Sequence, residues 1–213
     1  MERLDISDNI LPIVSVAMYG TQLDPENWAE NYFERLDDDG ITYDRSKERF
    51  DRDAWDLRII DLASAIIQEE WLPMMKKYGI VGAVGFSIHH PHYYNFENDE
   101  LYFSLDVEEG WREKILARFK EAWENSEEVR NYAKENYTSY DGFTSRTSNT
   151  YEGLSQMKTM QDIAAVIFLV SLYDGFDREG LYNQMIEDAW EQLDYGDFVT
   201  FEEEEESTEI STK

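Results

Sequence analysis

The chain contains no cysteine. Disulfides and thiolate metal centres are therefore excluded, and the composition suits a reducing compartment. Histidine is nearly absent: His89, His90 and His92 are the three, all within four positions. Positive charge is scarce, with 19 Lys and Arg against 47 Asp and Glu, a net charge of −28. A surface of that sign repels nucleic acid and anionic lipid and attracts basic proteins. There is no P-loop, no zinc-finger spacing and no basic patch, so direct nucleic-acid binding is disfavoured. Long apolar runs are also missing. The most apolar stretch, 163–172, is interrupted by Ser171 and falls well short of the roughly 20 residues that span a bilayer. Residues 1–5 lack the basic start of a secretory leader, and no apolar stretch of that length follows, so the expectation is a cytoplasmic protein without a membrane partner.

Against these absences stand 42% hydrophobic and 15% aromatic residues. An acidic chain that stays disordered is poor in aromatics, so this one folds. Its 213 residues suit one domain, expected over 1–201, followed by an acidic tail over 202–213 with no hydrophobic period. Adaptation to high salt is a competing source of acidity, but eleven arginines, eight lysines and many large aromatics count against it.

Hydrophobic period and capping residues predict an α+β fold: a small antiparallel sheet of about three strands covered by five or six helices. The strands are expected at 12–19, 80–90 and 100–105, each β-branched or alternating. Asp24-Pro25 opens a first helix with Trp28, Tyr32 and Leu36 on one stripe, and Asp37-Asp38-Asp39-Gly40 closes it. A long helical segment is expected from Ser46 to about Tyr78, interrupted near Pro73. Trp55, Ile59, Leu62 and Ile66 form its apolar face, widened by Leu57, Ile60 and Ile67. Asp106 with Glu109 reads as a capping box opening a helix over about 107–124. Ser126, Thr159 and Asp177 cap three more, ending near Asn136, Tyr173 and Tyr195. Residues 138–153 are polar and read as a long loop. Acid-Ala-Trp-acid recurs at 53–56, 121–124 and 188–191, as a helix places a buried Trp between solvated carboxylates; Tyr-Asp-Gly-Phe recurs at 140–143 and 173–176 as a turn with an aromatic anchor.

The chemistry-bearing patterns are few. His90 and His92 share one face of a strand, as a metal-binding His-x-His pair requires, and Asp99 offers a carboxylate; Pro91 between them confines the site to an edge, and further ligands would have to be carboxylates. Gly79, Gly82 and Gly85 lie within a strand with no helix following, which fits close packing or a bulge rather than a dinucleotide fingerprint. Placing Gly40 at the sixth position of a calcium loop puts Arg35 and Ser46 at its ends, which excludes an EF-hand. No G-x-S-x-G elbow is present. With so many acids, a carboxylate pair at glycosidase spacing carries no information. The expectation is therefore a binding protein rather than an enzyme, with no cofactor and no metal. Residues 174–213 hold fourteen acids and two bases, and residues 24–70 hold fifteen and six. On the last helix, Glu187, Glu191 and Asp194 fall at i, i+4 and i+7, three carboxylates on one face. Tyr182, Met185, Ala189 and Leu193 face the core, with Trp190 at the margin.

The segment Pro91-His92-Tyr93-Tyr94-Asn95-Phe96-Glu97-Asn98-Asp99 resembles a P-x-Y-Y-N-F-x-x-D stretch of small phage and plasmid proteins. The acidic, aromatic-rich, cysteine-free composition resembles phage and plasmid inhibitors of host defence, the antirestriction and anti-CRISPR proteins, some of which imitate DNA. That likeness implies an inhibitor seated in the basic nucleic-acid groove of a host protein. Glu187, Glu191 and Asp194 would replace phosphates, and the hairpin residues Tyr93, Tyr94, Phe96 and Asp99 would supply further partner contacts. Two alternatives remain open at this stage: a protein-binding adaptor that uses the aromatic hairpin alone, and a metal-dependent enzyme built on His90 and His92. Residues 202–213 offer almost no apolar surface to bury, so truncation after Phe201 is expected to leave the melting temperature within a degree or two. Thermal melts of the full and truncated chains check this.

Overall fold

In a computed structural model the described residues are 1–5, 15–17, 22–89, 101–137 and 148–201. Their elements run β1 (Glu2–Asp5), β2 (Ser15–Ala17), α1 (Glu26–Asp38), β3 (Glu48–Phe50), α2 (Arg52–Ile66), α3 (Leu72–Met75), β4 (Ile80–His89), β5 (Leu101–Val107), α4 (Trp111–Asn125), α5 (Glu127–Asn136), α6 (Tyr151–Leu154), α7 (Met160–Tyr173), α8 (Arg178–Gln192) and β6 (Val199–Phe201). The fold is α+β. No helix among the described residues is long and apolar enough to cross a membrane.

The core is organised around α7, which is buried continuously from Asp162 to Ser171 and partly exposed only at its two ends. A helix that is apolar all round belongs inside a protein. Its start is fixed by a capping box: Thr159 Oγ1 accepts from the Asp162 N–H, and Asp162 accepts from the Thr159 N–H, each at 3.0 Å. Helices α4, α5 and α6 pack on it. One buried polar group crosses to the preceding layer. The Ser171 hydroxyl donates to Ile167 O at 2.8 Å and accepts from Trp71 Nε1 at 2.9 Å.

The long helix expected from Ser46 is several elements. Asp44 caps a 3₁₀ turn at Arg45–Lys47, β3 follows, and Asp51 then caps α2 by accepting from Ala54 N–H at 3.0 Å. The face of Trp55, Ile59, Leu62 and Ile66 is buried as expected, but Leu57 is 60% exposed. After Ile66 the helix loosens into a π turn, Ile67–Trp71. That turn keeps both Ile67 and Trp71 in the core, and Pro73 falls at the start of α3, where a missing N–H costs least.

The larger sheet has the order β1-β5-β4-β2. β1, β5 and β4 run antiparallel, while β2 joins β4 in parallel, Ser15 opposite Ser87. A parallel neighbour needs a long crossover, and α1 to α3 supply it. β1 was not foreseen. Its Leu4 is buried, and Arg3 holds Asp106 through Nε and Nη2 at 2.8 and 3.0 Å. Asp106 is therefore a strand residue rather than a capping one, β5 runs on to Val107, and α4 begins only at Trp111. The β4–β5 register shifts between Ile80 and Gly82. A Cβ on Gly82 would lie 2.7 Å from Asp106 Oδ2, so a larger residue there would displace the carboxylate that Arg3 holds.

A second, two-stranded sheet clasps β3 to β6, Glu48 opposite Phe201 and Phe50 opposite Val199. It closes an aromatic cluster in which Phe50 stacks on Tyr195 at 4.8 Å and Phe33 on Tyr43 at 5.0 Å. The Tyr195 hydroxyl donates to Glu48, and burial together with that carboxylate raises the phenol's pKa. Replacing Ser171 by Ala removes the acceptor of a buried indole N–H, so Ser171→Ala is expected to cost about 1–3 kcal/mol, read as a lower denaturant midpoint at unchanged m.

Candidate functional site

The last helix is capped as expected, Asp177 Oδ1 accepting from Gly180 N–H at 2.9 Å. Met185, Ile186 and Ala189 face the core, and Glu187 and Glu191 stand exposed one turn apart. Asp194 does not join them. The helix ends at Gln192, Leu193 turns extended to stay buried, and Asp194 caps the 3₁₀ turn Tyr195–Asp197 by accepting from Gly196 N–H at 2.9 Å. Arg35 Nη2 reaches both its oxygens, at 2.7 and 2.8 Å. Burial opposes the ionised form, but Arg35 and the Gly196 N–H prevail and hold the Asp194 carboxyl below its usual range. Its charge is used inside the protein.

Trp190 departs from the buried position expected for this motif. It is 44% exposed and stacks on Trp28 with ring centroids 4.2 Å apart, and Trp28 meets Trp55 edge-on at 5.2 Å. These three indoles tie α8, α1 and α2 into one layer, strengthened where Arg58 Nη2 donates to Gln192 Oε1 at 3.1 Å. Acids make up about half of the outward residues of that layer, and Arg35 and Arg58 are exposed there too. α1 presents Glu26, Glu30 and Glu34 on successive turns, α2 presents Asp53 and Asp61 on either side of Leu57, and α8 presents Glu187 and Glu191. Carboxylates one turn apart on a helix lie about 6 Å from each other. None of these seven has an ion pair among the described residues.

The hairpin residues Tyr93, Tyr94, Phe96 and Asp99 lie outside the described residues, as do His90 and His92 and most of the 138–153 loop. Within that loop, Thr150 caps α6 by accepting from Gly153 N–H at 3.2 Å. Among the described residues no group of three or more His, Asp or Glu is arranged to hold a metal ion.

One buried ionic cluster escaped the sequence reading. Tyr-Asp-Gly-Phe at 173–176 is a turn, with Phe176 as its buried anchor, but Asp174 does more. Its side chain is 3% exposed and receives Lys77 Nζ at 3.0 Å and Arg118 Nη2 at 2.6 Å. The Tyr78 hydroxyl donates to it at 2.5 Å. Arg118 also reaches Glu121 at 2.7 Å and lies over the Tyr173 ring at 4.4 Å. Burial pushes the Asp174 carboxyl upward, yet the bonds from Tyr78, Arg118 and Lys77 outweigh it and leave its pKa lowered. A perturbed buried acid can mark a reaction centre. Here both carboxylate oxygens are taken by partners of the same chain, so the cluster acts as a brace between the turn before β4, α4 and the end of α7.

A carboxyl with a lowered folded pKa adds stability above its unfolded value, near 3.9, and that stability is lost as pH falls through the folded value. Asp174→Asn is therefore expected to lower stability at pH 7 by about 1–3 kcal/mol, discounted because Lys77 and Arg118 are partly solvated. The variant should also show a flatter loss of melting temperature below about pH 4, measured by thermal melts across acid pH. No family model, curated protein or solved structure matches this chain.

Proposed function

We propose that this protein is an acidic inhibitor that binds a basic nucleic-acid-binding protein of the host cytoplasm, of the host-defence nuclease kind, by occupying its nucleic-acid groove. The observation that carries this reading is the set of uncompensated carboxylates on α1, α2 and α8, with Leu57 and Trp190 exposed among them. Carboxylates one helical turn apart, about 6 Å, would take the place of phosphates against the Lys and Arg of such a groove. Duplex DNA carries one charge per roughly 1.7 Å of axis, so a net charge of −28 equals that of about 48 Å of duplex. A compact chain of this length has a radius of gyration of about 17 Å, so the charge density is of the right order. Uncompensated charge also weakens a compact state through self-repulsion, which gives its retention a functional sense. Leu57 and Trp190 would add apolar contact that charge alone lacks. The activity is binding; the reading assigns no reaction to the chain.

Capture of the tagged protein's partner from host lysate, followed by competition with duplex DNA, tests this. The partner is expected to release its nucleic acid on binding, and binding should weaken steeply as salt rises. Glu187→Lys combined with Glu191→Lys should slow association by about tenfold or more while changing dissociation little, as for charges at an interface rim. A partner that keeps its nucleic acid while bound, with affinity indifferent to salt, refutes groove occupancy.

A further inference from the structure

A cleft of about 650 Å³ opens between the end of α1, the 41–47 segment and β6. Tyr32, Leu36, Ile41, Tyr43 and Phe201 form its walls, and Asp44 and Lys47 line its polar part. Its size is in the range of sites that bury a small ligand or a few side chains. The walls are fixed from behind. Gly40, at φ 71°, takes the left-handed turn that ends α1, and Ile41 N–H returns to Leu36 O at 2.8 Å, setting these two apolar residues side by side. Tyr43 is stacked on Phe33 and lies 6.0 Å from Phe201, and Tyr32 lies 5.6 Å from Tyr195. Even so, Ile41 remains 49% exposed. Pre-positioned apolar walls of this kind are what a protein interface uses to seat one large side chain.

Asp44 lines the cleft, and Asp37, Asp38 and Asp39 are exposed at the C-terminal end of α1, the helix that supplies Tyr32 and Leu36 to its wall; burial and the nearby Asp37 raise the pKa of the Tyr43 phenol. A helix C-terminus carries partial negative charge and disfavours anions, so local stability does not account for this run. Nearby cations are committed elsewhere. Arg35 binds Asp194, and Arg45 lies over the Phe33 ring at 4.1 Å with Glu48 3.8 Å from its Nε. The lining itself holds one carboxylate, Asp44, and one ammonium, Lys47.

We infer that this cleft receives a large apolar side chain carried on a Lys- and Arg-rich segment of a partner protein. The sign of that partner's charge rests on the proposed function, while the cleft is separate from the carboxylate rows of α2 and α8. The apolar side chain fills the space between Ile41, Tyr43 and Phe201, and its basic neighbours lie against Asp37, Asp38 and Asp39. Binding at the cleft fixes register, which a field of carboxylates alone does not.

The test uses a fluorescein-labelled peptide of lysines and arginines with one central leucine, compared with the same peptide carrying serine and with an uncharged peptide carrying leucine. By fluorescence anisotropy on the full chain, the basic leucine peptide is expected to bind about tenfold or more tightly than the basic serine peptide, the worth of one buried side chain. Ile41→Ser, at an exposed position, should abolish that preference without lowering the melting temperature. Asp37→Asn, Asp38→Asn and Asp39→Asn together should weaken both basic peptides alike and raise the melting temperature, since the anions leave a helix C-terminus. Equal affinity for the leucine and serine peptides, or a preference that survives Ile41→Ser, overturns the inference. So does equal binding of the uncharged leucine peptide, which would mean a neutral partner, or dimerisation in sedimentation that Ile41→Ser abolishes, which would mean a second copy. No nucleic acid enters the assay. Failure of groove occupancy therefore leaves the leucine preference standing, and equal peptide affinities leave groove occupancy standing.

Discussion

Burial of α7 is the constraint on which the rest of the described structure depends. Ten successive residues from Asp162 to Ser171 are inaccessible to solvent, so the helix needs neighbours on every side. α4, α5 and α6 cover part of it, and the π turn before α3 brings Trp71 to Ser171. The carboxylate of Asp174, one residue past the helix, then gathers Lys77 and Arg118 from either flank. Apolar burial supplies the driving force, and the polar links at Ser171 and Asp174 select one arrangement of the neighbours. The aromatic cluster under β3 and β6 repeats the device at smaller scale, with Glu48 receiving the Tyr195 hydroxyl.

Several of the scarce cations bind carboxylates within the fold. Arg3 is held by Asp106, Arg35 by Asp194, Arg52 by Asp56, and Arg118 and Lys77 by Asp174. Each of these pairs joins elements or braces a helix, so positive charge is spent on internal stitching. The carboxylates left over are those on outward helix faces, where water solvates them at little cost.

Local signals were legible in the sequence. Ser126, Thr159 and Asp177 each accept the hydrogen bond expected of an N-cap, and the Trp55, Ile59, Leu62, Ile66 stripe is buried as its spacing indicates. So is the α+β class. What escaped depends on residues far apart in sequence. Glu48 to Phe50 look like the first turn of a helix until Val199 to Phe201 supply a strand partner. Asp106 has the local signature of a capping box, yet Arg3, 103 residues away, claims it. Of the candidate site, Glu187 and Glu191 could be read from helical spacing, whereas Asp194 left the row because Leu193 had to be buried. The exposure of Leu57, Trp190 and Ile41 follows from which neighbours pack beside them, and a hydrophobic pattern does not encode that.

The β3–β6 clasp has a consequence for the order of folding. Glu48 and Tyr195 meet across 147 residues, a long loop whose closure entropy must be met before the contact returns anything. On the ribosome, the aromatic surface of Phe33, Tyr43 and Phe50 is made early, and its covering strand arrives only when residue 201 has been added. Proteins rich in such distant contacts fold slowly, and an uncovered aromatic surface is an aggregation hazard for as long as it waits. Mutual repulsion between nascent chains of strongly negative charge would keep that waiting surface from meeting its like.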